Sequence, residues 1–179
     1  MINKIARSVA DALAGIPDGA TVLIGGFGTA GIPGELIDGL VEQGAKDLTV
    51  VNNNAGNGET GLAALLKAGR VRKIICSFPR QADSQVFDGL YRSGKIELEL
   101  VPQGNLAERI RAAGAGIGAF FCPTGYGTQL AATARPARST ASSTCWSTPS
   151  TATWRSSRPS AATAGATWST ARPRATSAP

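Results

Sequence analysis

Residues 18–33 read Asp-Gly-Ala-Thr-Val-Leu-Ile-Gly-Gly-Phe-Gly-Thr-Ala-Gly-Ile-Pro, and this stretch decides the fold class. Its aliphatic run at 21–24 is typical of a buried strand. The glycines behind it let the backbone turn tightly and pass close to a ligand. Pro33 and the apolar spacing over 34–43 predict a helix after the turn. Because a helix N-terminus favours an anion, the stretch predicts a strand, an anion-binding loop and a helix.

Helix and strand patterns alternate through the first 131 residues. The predicted helices cover residues 3–14, 34–43, 59–68, 83–93 and 106–113, and the predicted strands cover 20–25, 47–52, 71–77, 95–101 and 118–122. Short apolar strands separated by helices of about ten residues are typical of an α/β fold with an open, mostly parallel sheet flanked by helices. Ligands bind to such sheets at the carboxyl ends of the strands.

The composition excludes several function classes. Residues 1–131 carry twelve basic and twelve acidic side chains, whereas residues 132–179 carry six arginines and no acid, which accounts for the net charge of +6. The basic balance therefore does not indicate a nucleic-acid-binding face on the folded part. The absence of histidine excludes the usual serine-triad and zinc chemistries. Cys76, Cys122 and Cys145 have no metal-site spacing, so we expect incidental thiols.

The sequence indicates neither a membrane protein nor a secreted one. It has no apolar run of 18 residues, and its N-terminal segment lacks the apolar core of a signal peptide. We therefore expect a cytoplasmic protein.

The tail, residues 132–179, has Ala, Ser, Thr, Arg or Pro at 43 of its 48 positions and no Ile, Leu, Val, Phe, Met or Tyr. Such a segment cannot bury enough apolar surface to offset its ordering entropy, so we expect it to be disordered. A flexible linker or a mucin-like stalk has a similar composition, but the three tryptophans fit neither.

A frameshift explains the tail better. Read one nucleotide earlier, codons 162–168 can spell Gly-Asp-Arg-Trp-Gly-Asn-Leu, and codons 144–161 permit a strand-like run Val-Ala-Leu-Ile-Lys-Ala-Glu. We therefore predict an incomplete domain over residues 1–131 and a frameshifted tail over 132–179. Sequencing the gene across codons 128–136 tests this, because an intact reading frame there would contradict it.

The glycine loop permits a dinucleotide interpretation. Residues 26–31 match the pattern Gly-x-Gly-x-x-Gly, which binds NAD when an acidic residue follows the second strand and holds the ribose. Here that strand ends in Asn52-Asn53-Asn54, so the acidic anchor is missing. A tight turn with no ligand is a further alternative.

A longer pattern favours another ligand. Asp18-Gly19, the aliphatic residues at 22–24, Gly25-Gly26-Phe27, Gly31 and Pro33 resemble the signature of family I coenzyme A transferases. The resemblance extends over residues 1–131 through Val-Val-Asn-Asn-Asn-Ala-Gly at 50–56, Pro-Gln-Gly-Asn-Leu-Ala-Glu-Arg at 102–109 and Pro-Thr-Gly-Tyr-Gly-Thr at 123–128. It is strongest to the A (alpha) subunits of 3-oxoacid CoA-transferases. Residues 76–81 and 87–91 resemble the 3-oxoadipate branch, which serves aromatic-compound catabolism.

The resemblance implies a reaction and a partner. These enzymes move CoA from a donor thioester, usually succinyl-CoA, to the carboxylate of a 3-oxo acid by way of a covalent glutamyl intermediate. In two-subunit members the glutamate belongs to the B (beta) subunit. No Ser-Glu-Asn-Gly-like stretch occurs here. The resemblance thus implies a B-subunit partner, CoA thioesters as substrates and no permanently bound cofactor. Acetoacetate as acceptor, a non-catalytic metabolite-binding module and an inactive frameshifted product remain alternatives.

The site residues follow from the resemblance and from the strand ends. A CoA-binding loop is expected at Gly25, Gly26, Phe27, Gly28, Thr29, Ala30 and Gly31. Gln103 follows a strand at the carboxyl edge, where its amide can donate to an oxyanion, unless it caps the next helix. Asn53, Asn54 and Gly104 are candidates for the substrate site, although the asparagines alternatively close Asx-turns. Glu59 is expected in the first turn of a helix rather than as a nucleophile.

Overall fold

The computed structural model describes residues 5–131, 136–138, 143–147 and 154–156, and of the last three ranges only the backbone. The helices are α1 (Val9–Leu13), α2 (Gly34–Gln43), α3 (Leu62–Lys67), α4 (Gln85–Arg92) and α5 (Gln103–Ala115), followed by a 3-10 turn at Gln129–Ala131. The strands are β1 (Thr21–Ile24), β2 (Leu48–Val51), β3 (Val71–Cys76), β4 (Glu97–Leu100), β5 (Phe120–Cys122), β6 (Pro136–Arg138), β7 (Ser143–Ser147) and β8 (Trp154–Ser156).

Five of the strands form one parallel sheet in the order β4-β3-β2-β1-β8. Between β1 and β4, each strand is followed by a helix and then by its neighbour in the sheet, so that α2, α3 and α4 are the crossover connections. This confirms the open, mostly parallel sheet flanked by helices that the sequence predicts.

The two faces of the sheet pack against different helices. Val22, Val50 and Ile74 belong to the larger core, to which α1, α2, α3 and α4 contribute Leu13, Ile37, Leu65 and Phe87, all buried. The residues that follow them, Leu23, Val51 and Ile75, point to the opposite face and form a smaller core with Leu106 and Ile110 of α5. The alternation follows from the two-residue period of a strand.

Ion pairs attach α5 to the sheet. Glu99 of β4 accepts from Arg109 of α5 at 2.6 Å and contacts Lys73 of β3 at 2.7 Å. Partial burial raises the pKa of Glu99, but the hydrogen bonds and charges of Lys73 and Arg109 outweigh it, so the pKa lies below its usual value. The sequence suggests solvated charges at Lys73 and Glu99, but both side chains are half-buried. Arg72 and Glu97 form an exposed pair, as their positions suggest.

Four helices begin later or earlier than predicted, and α4, at Gln85 instead of 83, differs least. The first helix starts at Val9, where the Ser8 hydroxyl accepts from the Asp11 N–H at 3.1 Å. The helix predicted from residue 59 starts at Leu62, because Gly61 adopts φ 56° and ψ −125°. Glu59 therefore lies outside the helix, contrary to the prediction, and pairs with Lys67 at 2.9 Å on the surface. Helix α5 starts at Gln103, directly after Pro102.

The chain after α5 departs from the parallel pattern. Strand β5, predicted as a further strand of the α/β alternation, instead belongs to a separate antiparallel sheet of order β5-β7-β6. Its residues are only partly buried, whereas β2 is buried throughout, so β5 lacks the burial of a central parallel strand. Strands β6, β7 and β8 lie in the tail; its other residues lie outside the described part, and disorder there stays a prediction.

None of the helices in the described residues is long and apolar enough to cross a membrane.

Cys76 is the last residue of β3 and is buried, and burial raises the pKa of its thiol to about 12. A thiol with so high a pKa is neutral near pH 7 and is therefore a poor nucleophile, in agreement with the expectation of an incidental cysteine.

Candidate functional site

The carboxyl ends of β1 and β2 and the beginning of α5 enclose a cleft of about 290 Å³. Its walls are mostly aliphatic, and its polar groups are backbone atoms and the amide side chains of Asn52, Asn53 and Gln103. The full lining is Leu23, Ile24, Gly25, Gly26, Val51, Asn52, Asn53, Gln103, Leu106, Ala107 and Ile110. This is the edge of the sheet at which a parallel α/β fold binds ligands.

The glycine-rich loop is a small hairpin rather than a direct strand-to-helix turn. Phe27 and Ala30 exchange backbone hydrogen bonds of 2.9 and 3.0 Å, and Gly28 at the tip has φ 62°. Gly26 has φ 123°, which favours glycine, and a Cβ atom there would lie 2.5 Å from the end of the Ile32 side chain, which would have to shift. Helix α2 begins only at Gly34. The loop thus differs from the dinucleotide-binding turn, in which the glycines open the helix.

Two asparagines hold this loop against the sheet. Asn52 donates to the Ile24 carbonyl at 2.6 Å, and Asn54 donates to the Gly28 carbonyl at 3.2 Å. The side-chain oxygens of both accept backbone N–H groups two residues ahead, at 2.9 Å from Asn54 and 2.8 Å from Gly56. The side chain of Asn54 therefore closes an Asx-turn and also holds the loop, while its place in a substrate site stays a prediction.

Replacing Asn54 with alanine should destabilise the protein by about 1–3 kcal/mol, because the buried Gly56 N–H loses its acceptor and the half-buried Gly28 carbonyl loses a donor. Asn54 is fully buried, so water cannot replace its hydrogen bond to the Gly56 N–H without opening the loop. Urea unfolding measures the change. Asn57→Ala is the matched control, because its side chain accepts only an exposed hydrogen bond, from the Asp83 N–H. Equal stability of Asn54→Ala and Asn57→Ala would contradict the loop-holding role of Asn54.

Asn53, Ser77 and Gln103 form a contiguous polar cluster at the mouth of the cleft. Asn53 Nδ2 donates to Gln103 Oε1 at 3.0 Å and to Ser77 Oγ at 3.1 Å, and Ser77 Oγ donates to Gln103 Oε1. Gln103 does not cap α5, because Pro102 is the capping residue and no side chain bonds to the first turn. The side chain of Gln103 therefore makes no capping hydrogen bond and is available to a ligand in the cleft. It lies at the N-terminus of α5, which is the positive end of the helix dipole.

The structure brings some of the predicted residues together and separates others. Gly25, Gly26, Asn53 and Gln103 line the cleft, whereas Gly28, Thr29 and Asn54 line a separate cavity of about 60 Å³. The Phe27 side chain is exposed at the hairpin tip. Gly104 instead lies beside Thr124, whose Oγ1 would be 3.3 Å from a Cβ atom there. Ser77 was not predicted, although its place directly after β3 matches that of the asparagines after β2.

The cleft has no ionisable side chain among its lining residues. A carboxylate nucleophile for acyl chemistry is therefore not part of the described cleft, while hydrogen-bond donors are. Chemically, such an arrangement can accept an apolar group along its aliphatic wall and can donate a hydrogen bond to a negative oxygen near Gln103.

Comparisons with known proteins agree with this description. The coenzyme A transferase family model matches residues 6–150. The chain is 73% identical over 131 residues to the A subunit of the 3-oxoadipate CoA-transferase of Pseudomonas putida, covering 73% of this chain and 57% of that protein. It is 45% identical over 130 residues to the A subunit of the succinyl-CoA:3-ketoacid coenzyme A transferase of Helicobacter pylori, covering 73% of this chain and 55% of that one.

The fold also matches a solved structure. The acyl-CoA transferase of Escherichia coli O157:H7, a thioester complex with CoA, superposes with a TM-score of 0.71 at 19% identity, covering 85% of this chain and 34% of the other.

The fold and the cleft define an α/β protein with a candidate ligand site at the carboxyl edge of a parallel sheet. The chain belongs to the coenzyme A transferase family. It spans little more than half the length of the curated relatives that it matches.

Proposed function

We propose that this chain is the A subunit of a CoA-transferase that moves CoA from succinyl-CoA to 3-oxoadipate. The observation that carries the proposal is the cleft itself, which offers amide donors and an aliphatic wall at the carboxyl edge but no ionisable side chain. Such a cleft supplies half of a transferase site. The nucleophilic carboxylate then comes from a B subunit.

The proposed role of Gln103 follows from the chemistry of thioesters. When a carboxylate adds to a thioester carbonyl, the carbonyl oxygen becomes negatively charged in the tetrahedral intermediate. A fixed N–H donor stabilises that oxygen more than it stabilises the neutral carbonyl, which lowers the barrier. Gln103 Nε2 is such a donor, and the N-terminus of α5 adds a favourable dipole.

The proposed CoA contact is the backbone of residues 25–31. Gly25 and Gly26 line the cleft, and the φ of 123° at Gly26 favours glycine over residues with a side chain. The exposed Phe27 at the hairpin tip offers an aromatic surface to the ligand or to the partner protein. The higher identity to the 3-oxoadipate enzyme than to the 3-ketoacid enzyme favours 3-oxoadipate over acetoacetate as the acceptor. A cytoplasmic location stays a prediction from the sequence.

Co-expression with a 3-oxoadipate CoA-transferase B subunit tests the proposal. We expect succinyl-CoA-dependent formation of 3-oxoadipyl-CoA by the mixture, at least about tenfold faster than with acetoacetate, which corresponds to about 1.4 kcal/mol of discrimination. Neither protein should be active by itself. The present chain is to be tested both as it stands and with codons 132–179 in the shifted frame. CoA binding without transfer in both mixtures would favour a metabolite-binding module instead.

A further inference from the structure

Gln103 has a carboxamide with two chemically opposite ends, and only one of them can help an oxyanion. The Nε2 end donates, whereas the Oε1 end repels a negative oxygen. A free glutamine side chain on a helix surface rotates between the two orientations. The function proposed above therefore requires something that fixes the orientation.

The cluster of Asn53, Ser77 and Gln103 provides this constraint. Gln103 Oε1 accepts from Asn53 Nδ2 at 3.0 Å and lies within hydrogen-bond distance of the Ser77 hydroxyl, whose single proton is shared between Gln103 Oε1 and the Asn53 carbonyl at 3.2 Å. Gln103 Nε2 has no hydrogen-bond partner among the residues that the structure describes. We propose that Asn53 and Ser77 are positioning residues, which hold the oxygen of Gln103 and leave its NH2 group for the cleft. The inference rests on the proposed function.

The two positioning residues are themselves anchored to the sheet. The Asn53 carbonyl accepts the N–H groups of Ser77 at 3.2 Å and Phe78 at 2.9 Å, which continues the pairing of β2 with β3. Gln103 is the first residue of α5, and Glu99 and Arg109 tie that helix to β4. The three side chains thus project from rigid elements. Such preorganised groups stabilise charge without rearranging during the reaction.

The cluster also predicts how each substitution changes the orientation of the Gln103 amide. Asn53→Asp keeps the size of the side chain but replaces the donor with a carboxylate, which can only accept. The Gln103 amide should then rotate to donate to that carboxylate, and its Oε1 should face the cleft. Ser77→Ala should instead leave the amide free to rotate between both orientations.

Two measurements test the proposal. The first is the pair of side-chain NH2 resonances of Gln103 in the full chain, assigned from their loss in Gln103→Ala. We expect well-separated proton shifts in the wild type, collapse toward free glutamine values in Ser77→Ala, and recovery in Ser77→Thr, which keeps a hydroxyl. Ser93→Ala is the control, because Ser93 donates to the Leu90 carbonyl at the exposed end of α4.

The second measurement is steady-state transfer by the complex with the B subunit. We expect kcat to fall on the order of 10-fold in Ser77→Ala and more in Asn53→Asp, with KM little changed, since the donor is misplaced rather than removed. Ser77→Thr should restore most of kcat. Unchanged Gln103 resonances in Ser77→Ala would overturn the positioning role. A normal kcat in Gln103→Ala would overturn the proposed catalytic role of Gln103 instead, whatever the resonances show.

Discussion

Gln103→Ala is expected to lower kcat on the order of 10²-fold in the complex with the B subunit while leaving KM close to the wild-type value. The reason is that the Nε2 donor interacts with an oxygen that becomes negatively charged only as the transition state and the tetrahedral intermediate form. Removing an interaction of this kind reduces kcat and kcat/KM together. Steady-state kinetics with varied succinyl-CoA measures both constants.

The chain contains a matched control for this substitution. Gln85 is also the first residue of a helix, α4, and its side chain is exposed, but it does not line the cleft. Gln85→Ala should therefore keep a normal kcat. Gln103→Glu sharpens the test, since a carboxylate beside the oxyanion should cost more than alanine does. A defect of Gln103→Ala confined to KM would place Gln103 in ground-state binding and contradict the oxyanion role.

The parallel core could be predicted because its signals are local. Each strand from β1 to β4 is a short apolar run bounded by turn residues, and the intervening periodicity predicts helices. The sequence also indicated that Asn53 and Gln103 lie at the same edge of the sheet, because each follows shortly after a parallel strand, and both line one cleft. Boundaries were less accurate where one backbone conformation decides them, as at Gly61, whose φ of 56° delays α3 to Leu62.

The side-chain pairings could not be predicted, because they depend on positions far apart in the chain. Ser77 and Gln103 are 26 residues apart, and Asn53 and Gln103 are 50 apart. Their contact requires that β2 and β3 be neighbours and that α5 begin at residue 103 rather than 106. The half-burial of Glu99 could not be predicted for the same reason, since nothing in its local sequence indicates Arg109 as a partner.

In the tail, the backbone forms a strand at the same positions at which the shifted reading frame permits an aliphatic run. Strand β8 at Trp154–Ser156 pairs in parallel with β1, with position 154 opposite Val22 and position 156 opposite Ile24. In the shifted frame, codons 154–157 permit Val-Ala-Leu-Ile. The positions that join the sheet are thus positions at which the other frame permits a strand-forming aliphatic run, whereas the frame as given encodes Trp-Arg-Ser there.

Restoring the frame from codon 132 should therefore stabilise the protein by about 3 kcal/mol or more, because each buried Val, Leu or Ile contributes roughly 1.5–3 kcal/mol. It should also confer transferase activity with the B subunit, since β8 borders β1, whose carboxyl end forms the cleft.

Urea unfolding of three chains measures the effect: residues 1–131, residues 1–179 as given, and the restored chain. The first two should have similar midpoints if the given tail adds no core, and only the third should gain stability. Equal stability of the given and restored chains would contradict the frameshift interpretation. An aliphatic strand beside Val22, Leu23 and Ile24 should stabilise the sheet more than Trp-Arg-Ser does, so equal stability would mean that positions 154–156 are not part of the native sheet.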